Sequence, residues 1–397
     1  MKILSVNAGS SSLKFTAFEM PEEKKLISGY FERIGIGNSF YTLKINGEKK
    51  QVEVEMNTHE DAFKILIKEL IDNKIVKDLN EIKGIGHRVV HGGEYFKDSV
   101  VITEDVIIKI EELSNLAPLH NPPAITGIKA AIEVVPDATQ VAVFDTSFHQ
   151  TMPKENYLYA VPKDWYREHK VRKYGMHGTS HKYITERMKE VLGHENTKLI
   201  ICHIGSGASI TAVENGKSIN TSMGFTPNAG LIMGTRSGDI DASILPYMMD
   251  KLNVNAKEID RILNKESGVL ALSEQYSDMR DIYDHVKLGE EKSVLAQDMF
   301  IKRIVDYIAM YYFELKGCDA IIFTAGVGEN GACERRRVIE KLEFLGVKLN
   351  SEFNEQIASY HDIHEGKITL EDSTIPVYVI PTDEEIMLAR DTFRFSN

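Results

Sequence analysis

The sequence predicts an α/β fold in two domains, built on one supersecondary unit used twice. Residues 2–18 read as a strand, a Gly-Ser turn and a second strand, and residues 198–213 repeat that pattern half a chain later. At 397 residues the chain exceeds what one hydrophobic core usually serves. Around the two hairpins, apolar strands alternate with segments of helical spacing, the pattern of a mixed sheet covered by helices.

In the first hairpin Ile3, Leu4 and Val6 form a buried strand that stops at Asn7-Ala8-Gly9-Ser10-Ser11-Ser12. Residues 13–18 lead away, with Lys14 beside the turn. Such a tip gathers backbone N–H groups, three hydroxyls, an amide and an ammonium, the donors a polyphosphate needs. An ordinary turn at a sheet edge would read the same way, and the second copy weighs against that. There Leu199, Ile200 and Ile201 form the strand, Cys202-His203-Ile204-Gly205-Ser206-Gly207 the turn, and residues 208–213 the return. Gly9-Ser10 aligns with Gly205-Ser206. Two such loops point to a duplicated domain with a nucleotide cleft between the copies.

Composition narrows the function. Hydrophobic residues make up 43% and charged residues 27%, as in soluble globular proteins. A net charge of −12 opposes nonspecific binding of nucleic acid, while local dipoles can still hold an anionic ligand. Cys202, Cys318 and Cys333 are too few and too scattered for a disulfide framework or a zinc site. No apolar run is long enough for a membrane span, and the first is broken at Asn7, unlike a signal peptide. The expected location is the cytoplasm.

Along the chain, residues 26–54 alternate apolar and polar side chains, with turns at Gly35-Ile36-Gly37-Asn38 and Asn46-Gly47. Residues 58–73 show helical spacing, with Thr58 as cap and Asp61 at capping-box distance. Three polar clusters each follow an apolar strand. Residues 82–85 end in Gly86-His87-Arg88-Val89-Val90-His91-Gly92-Gly93. Residues 116–123, with His120 and two prolines, form a loop entering a helix. Residues 140–144 carry Asp145 at their carboxyl end, where open α/β sheets place ligands. The aromatic, charged stretch 157–172 reads as the crossing into the second domain. The domains are expected at 1–149, with a terminal helix 385–397 returning to it, and at 150–384.

In the second domain, residues 174–181 open a helix to Leu192, and a segment rich in Gly, Thr and Asp runs through residues 221–241. Helices are expected at 240–252, 256–264 and 293–315. A strand at 319–323 exits through Thr324-Ala325-Gly326-Val327-Gly328-Glu329-Asn330, and a last strand at 377–380 ends at Pro381-Thr382-Asp383-Glu384-Glu385.

Several residues admit two readings. Arg88 and Arg236 lie in Gly-containing loops, either pairing with neighbouring carboxylates or holding a carboxylate and a phosphoryl group. His120 and His177 are structural or catalytic. Asp145 and Glu384 are helix caps or Mg²⁺ ligands. No Rossmann fingerprint or Walker A sequence is present.

Together the motifs resemble the acetate and propionate kinase family along the whole chain. They are Asn7 to Lys14, Gly86 to Gly93, Leu116 to Pro123, Phe144-Asp145-Thr146, Tyr174 to His181, Met223 to Asp241, Gly326 to Asn330 and Thr382 to Glu385. The resemblance implies the duplicated ribonuclease H-like fold of actin, sugar kinases and chaperone ATPases. It implies reversible in-line phosphoryl transfer from ATP to acetate, giving acetyl phosphate and ADP with Mg²⁺, for which Mn²⁺ can substitute, in a homodimer. It places Arg88 and Arg236 on the acetate carboxylate and the phosphoryl group, with His177 donating to the transition state and His120 and Asp145 among the catalytic residues. Asn7 and Glu384 then organise the metal, and Ser10, Ser12 and Lys14 face the phosphates. His203, Ile204, Gly205, Ser206, Gly207, Asp278, Met279, Arg280 and residues 326–330 (Gly326, Val327, Gly328, Glu329, Asn330) hold the nucleotide. Val90, Leu119, Met176 and Pro227 surround the acyl methyl.

Three positions depart from the family's usual residues: Ser206 and Asp383 stand for Asn, and Met176 for Phe. A propionate or butyrate kinase of the same family, or an actin-like or chaperone-like ATPase clamp without a small acceptor, stays open at this stage.

Overall fold

In the computed structural model β1 (Lys2–Ala8) runs antiparallel to β2 (Ser12–Glu19), with Asn7 opposite Lys14. The turn between them closes through the Gly9 N–H to the Ser12 carbonyl at 2.9 Å. The structure describes residues 1–358 and 360–396. It divides into two units, Met1–Gln150 with Asp383–Asn397, and Thr151–Thr382.

In the first unit β3 (Lys24–Glu32), β4 (Phe40–Ile45) and β5 (Glu48–Glu53) continue the meander beside β2. Asn46 and Gly47 both take positive φ, 49° and 87°, as a two-residue hairpin turn requires. β6 (Ile82–Val89), β7 (Val100–Val101) and β8 (Thr139–Phe144) lie on the other side, with β1, β6 and β8 parallel. Helix His59–Asp72 carries the expected capping box: Thr58 accepts from the Asp61 N–H, and Asp61 accepts from the Thr58 N–H at 2.9 Å. Its Phe63, Leu66 and Leu70 join Leu4, Val6, Phe15 and Phe31 in one core.

The sequence ends a strand at Ile85, whereas β6 continues to Val89. Packing explains the difference. Helix Glu384–Phe395 lies on β1, β6 and β8. An ideal Cβ on Gly84 would stand 2.4 Å from Ser396 Oγ, and one on Gly86 only 2.3 Å from Thr392 Oγ1 and 2.9 Å from the Leu388 carbonyl oxygen. These glycines admit a helix; they do not turn the chain. The last position of the expected terminal helix, Asn397, lies outside the described residues.

The second unit holds β9 (Lys198–Ile204), β10 (Ala208–Glu214), β11 (Lys217–Thr221), β12 (Ala320–Thr324), β13 (Gly366–Lys367) and β14 (Val377–Val379). Its sheet order is β11-β10-β9-β12-β14-β13. The strands β3-β2-β1-β6-β8 and β11-β10-β9-β12-β14 therefore share one order and one set of directions, an antiparallel meander followed by two parallel neighbours. This is the duplicated ribonuclease H-like core.

The second turn is tighter than the sequence suggests. Cys202, His203 and Ile204 pair with Ile210, Ser209 and Ala208, leaving Gly205-Ser206-Gly207 as the turn, closed by the Gly205 N–H to the Gly207 carbonyl at 3.1 Å. The expected Gly-rich exit is a short helix, Ala325–Asn330, entered with Ala325 at φ 65°. The helix expected from Ile240 begins at Ile244. Helices Ala256–Lys265 and Glu291–Glu314 form where the spacing places them. Glu104–Glu112, Met279–Lys287 and Ala332–Glu340 are helices the sequence reading did not anticipate. No helix among the described residues is long and apolar enough to cross a membrane.

Gly86→Ala should destabilise the protein by about 1–3 kcal/mol through overpacking. The loss, read as a lower melting temperature, should persist with Thr392→Ala, because the Leu388 backbone still blocks the Cβ. An unchanged melting point would contradict the account of Gly86. Acid should weaken the same unit. His87 is buried with Nε2 2.8 Å from Gln140 Oε1, and burial pushes it down from 6.5 to about 4. Its neutral form is favoured in the fold, so its contribution is complete above pH 6.5 and fades as pH falls toward 4. A His87→Gln variant should show a flatter stability profile across that window in melting curves.

Candidate active site

Arg88 near the end of β6 and Asp145 just past β8 come together because those strands are parallel neighbours in register. The guanidinium grips Asp145 Oδ2 from Nε at 3.1 Å and from Nη2 at 2.8 Å. Asp145, only 2% exposed, holds Arg88 well above the usual guanidinium range. Glu384 opens the terminal helix with Oε2 4.0 Å from Arg88 Nε, and its neighbour Glu385 pairs with Lys14. Burial pushes the Glu384 carboxyl up; Arg88 opposes that, while Asp145 and Glu385 add to it. For Glu385 burial pushes up as well, but Lys14 and Lys25 pull it below its ordinary value.

Glu384 is not the cap of the terminal helix. That place belongs to Asp383, whose Oδ1 accepts the Ile386 N–H at 2.9 Å, a role Asn and Asp fill alike. Two small cavities share Asn7, Lys14 and Arg88 in their walls. One, of about 120 Å³, adds Ser5, Glu384 and Glu385; the other, of about 220 Å³, adds Gly9, Ser12, Val90, Leu119 and His120. Ser10 lines neither and is exposed.

Asn121 is a residue the sequence reading passed over. Fully buried, it donates to the His91 carbonyl at 3.0 Å and accepts the His91 N–H at 3.1 Å, fastening the segment after Arg88 to the His120 loop. Its position beside Pro122 reads as helix entry, which hides that second use.

In the second unit His177 precedes helix Gly178–Leu192 in a left-handed conformation, φ 57°. Such strain in a non-glycine residue persists only where the surroundings hold it. They do so here. Nδ1 lies 2.9 Å from Ser209 Oγ, and the ring stacks on His203 with centroids 4.1 Å apart. His203 in turn lies 2.8 Å from Ser180 Oγ, and His181 Nε2 lies 2.8 Å from Ser209 Oγ.

Among the described residues the Arg236 guanidinium bonds only the Pro227 carbonyl, at 3.3 Å, and the Met233 sulfur, at 3.6 Å. Among the described residues no carboxylate stands within ion-pair distance of it, and burial pulls its pKa down. An ideal Cβ on Gly207 would stand 3.5 Å from His177 Nε2 and 3.6 Å from Arg236 Nη1, so both groups converge over that glycine. Met176, beside His177, is buried at 4% exposure.

A larger cavity, about 690 Å³, opens in the same unit. It gathers Gly205, Ser206, Asp278, Met279, Arg280, Gly326, Val327 and Asn330, as a nucleotide reading of these segments requires. Asp278 caps helix Met279–Lys287 and pairs with Arg280 at 2.6 Å. Five of the residues expected there in the second unit fall outside its walls. His203 and Ile204 are buried strand residues, Gly328 sits beneath the sheet end near Phe323, and Glu329 turns inward to accept the Ala325 N–H at 2.8 Å and the Thr382 N–H at 3.1 Å. Gly207 lies instead under His177 and Arg236. Phe300, Glu334 and Ile357 complete the walls from helices and a loop without any glycine signature.

The sequence matches the acetokinase family over residues 2–390. The acetate kinase of Bacillus cytotoxicus is 52% identical over 398 aligned positions, spanning 100% of this chain and 99% of that one. That of Bacillus velezensis is 53% identical over 397, with the same coverage. Among solved structures, the acetate kinase of Porphyromonas gingivalis superposes with a TM-score of 0.94 at 44% identity over the whole of both chains. A propionate kinase from Francisella tularensis does so at 0.92 and 41%, over 99% of each. With a match that runs almost from end to end and relatives this similar, the chain belongs to the acetokinase family.

Proposed function

We propose that the protein transfers the γ-phosphoryl group of ATP to acetate, reversibly, giving acetyl phosphate and ADP. Family membership supports the reaction, and the structural observation that carries it is Arg236. A largely buried guanidinium that faces no carboxylate and shares its space with His177 Nε2 is a place made for an anion. In phosphoryl transfer positioning and charge stabilisation do most of the work. Arg236 and His177 supply donors for the equatorial oxygens of the phosphoryl group in flight.

Arg88 takes the acetate. Asp145 occupies its Nε and Nη2, which leaves Nη1 for the carboxylate. Acetate is already ionised at neutral pH, since carboxyl groups titrate near ~4.3, so no general base is needed. A carboxylate oxygen forms the new bond to γ-phosphorus as the bond to the bridging oxygen breaks, and that electron pair leaves on ADP. Asp145 therefore orients Arg88. Val90 and Leu119 share the cavity wall with Arg88 and His120 and suit the methyl group; Met176 and Pro227 carry that assignment by family likeness alone.

The oxygen donors Asn7, Asp145 and Glu384 fit a hard divalent cation. Three carboxylates, Asp145, Glu384 and Glu385, crowd two cations, Arg88 and Lys14. Asn7 and Glu384 would hold Mg²⁺, and bound there it would neutralise phosphate charge. The 690 Å³ cavity would hold the nucleoside of ATP or ADP, with Ser206 toward its phosphates; the phosphate role of Ser12 and Lys14 rests on the family likeness. A homodimer and a cytoplasmic location rest on the family likeness. An ATPase clamp without a small acceptor is not favoured beside a family match of this extent.

With ATP, Mg²⁺ and hydroxylamine to trap acyl phosphate, acetate should give product. Propionate should give less, because one methylene changes pocket affinity by only about 1–3 kcal/mol. ATP hydrolysis indifferent to either acid would refute the reading. Arg236→Ala should lower kcat by roughly 10³–10⁵ with the melting temperature retained. Arg236→Lys should recover little, since an ammonium cannot reproduce the guanidinium's planar fork. A loss under about tenfold would return Arg236 to a structural role.

A further inference from the structure

Of the carboxylates lining the 690 Å³ cavity, Asp278 is paired with Arg280, Glu355 is exposed, and Glu334 alone is buried. Glu334, in helix Ala332–Glu340, is 7% exposed and lines the cavity. Its Oε1 accepts from Gln297 Nε2 at 3.1 Å. The orientation of that amide is fixed, because Arg337 Nη1 donates to Gln297 Oε1 and so turns Nε2 toward Glu334. Neighbouring cations are engaged elsewhere. Arg335 binds Asn354 and backbone carbonyls, including that of Ile357 at 3.2 Å, and Arg337 binds Gln297 and Asp298. Among the described residues Glu334 has no ion-pair partner.

A carboxylate offers about four acceptor sites, and Gln297 with the residue's own backbone N–H leaves capacity to spare. Oε2 lies over Gly331, 2.6 Å from where a Cβ would stand, so that only glycine leaves it this place. Burial raises the carboxyl, as expected of an acceptor left short of donors.

Its location fits a base. Gly326 N lies 4.0 Å from the Cβ position of Gly205, which joins the Gly-Ser turn to the start of the short helix. Gly331 follows five residues later, about 8 Å along at 1.5 Å per residue. There Phe300, one turn along the same helix face as Gln297, and Ile357, tied to helix Ala332–Glu340 by Arg335, offer apolar walls. A slot with apolar walls and one convergent acceptor suits a flat ring bearing an amino group.

We propose that Glu334 reads the amino edge of the nucleotide base, accepting an N–H from the exocyclic amine of an aminopurine nucleoside triphosphate. This rests on the phosphoryl transfer proposed above and names what sets its nucleotide preference.

The test compares kcat/KM for ATP and for purine riboside triphosphate, the same ring without its 6-amino group. It is run on the unaltered protein, Glu334→Ala and Glu334→Gln, with melting curves and the acetate KM for each. The unaltered protein should prefer ATP by about tenfold or more, expressed in the nucleotide KM. Glu334→Ala should bring the ratio near one, and Glu334→Gln, which keeps an acceptor oxygen, should fall between. No preference in the unaltered protein, or a ratio that neither variant moves, overturns the assignment. If Glu334→Ala fails to fold, the unaltered protein and Glu334→Gln decide alone. Absence of acetyl phosphate with ATP would count against the proposed function instead, since that measurement makes no comparison of bases.

Discussion

Everything in the first unit depends on one close approach, that of helix Glu384–Phe395 to β6 across Gly84 and Gly86. The helix carries Glu384 and Glu385 at its first turn, and only its seat on the sheet brings them beside Arg88 and Lys14. A methyl group on either glycine would meet the helix well inside contact distance. The ionic cluster is thus positioned by a packing constraint on residues that carry no chemistry themselves.

The two arginines stand in opposite electrostatic settings. Arg88 is clamped by Asp145, which fixes its plane and keeps it charged but leaves part of its donor fork open. Among the described residues Arg236 has no counter-ion, and burial weakens its hold on a proton. The first is an oriented donor whose charge is mostly neutralised at rest. The second has its charge uncompensated by a carboxylate among the described residues, in surroundings where solvent screens it less.

Much of this was legible in the sequence, because local rules and the global fold agree there. The twin Gly-Ser turns, the Thr58 and Asp61 capping box, and Asn46-Gly47 all appear where turn and cap chemistry place them. The misreadings have one common cause. Gly86 and Gly326 look like loop signals, yet the first makes room for a distant helix and the second lies inside a short one. His203 and Glu329 stand beside nucleotide-cavity residues in sequence, while β9, buried from Leu199 to Ile204, and an inward turn of the Glu329 carboxylate take both into the protein. Asn121, Gln297 and Glu334 act through partners far along the chain, which no local pattern records.

The return of residues 384–395 to the first sheet also sets an order of assembly. On the ribosome, residues 151–382 are complete before the helix that covers Gly84 and Gly86 exists. The second unit, drawn from one continuous stretch, can close its sheet during synthesis, as domains generally fold while the chain emerges. The first must wait with one face of β1, β6 and β8 uncovered, and its last contacts span nearly the whole sequence, the slowest kind to form. A nascent chain therefore completes the 690 Å³ cavity of its second unit before Glu384 can stand beside Arg88.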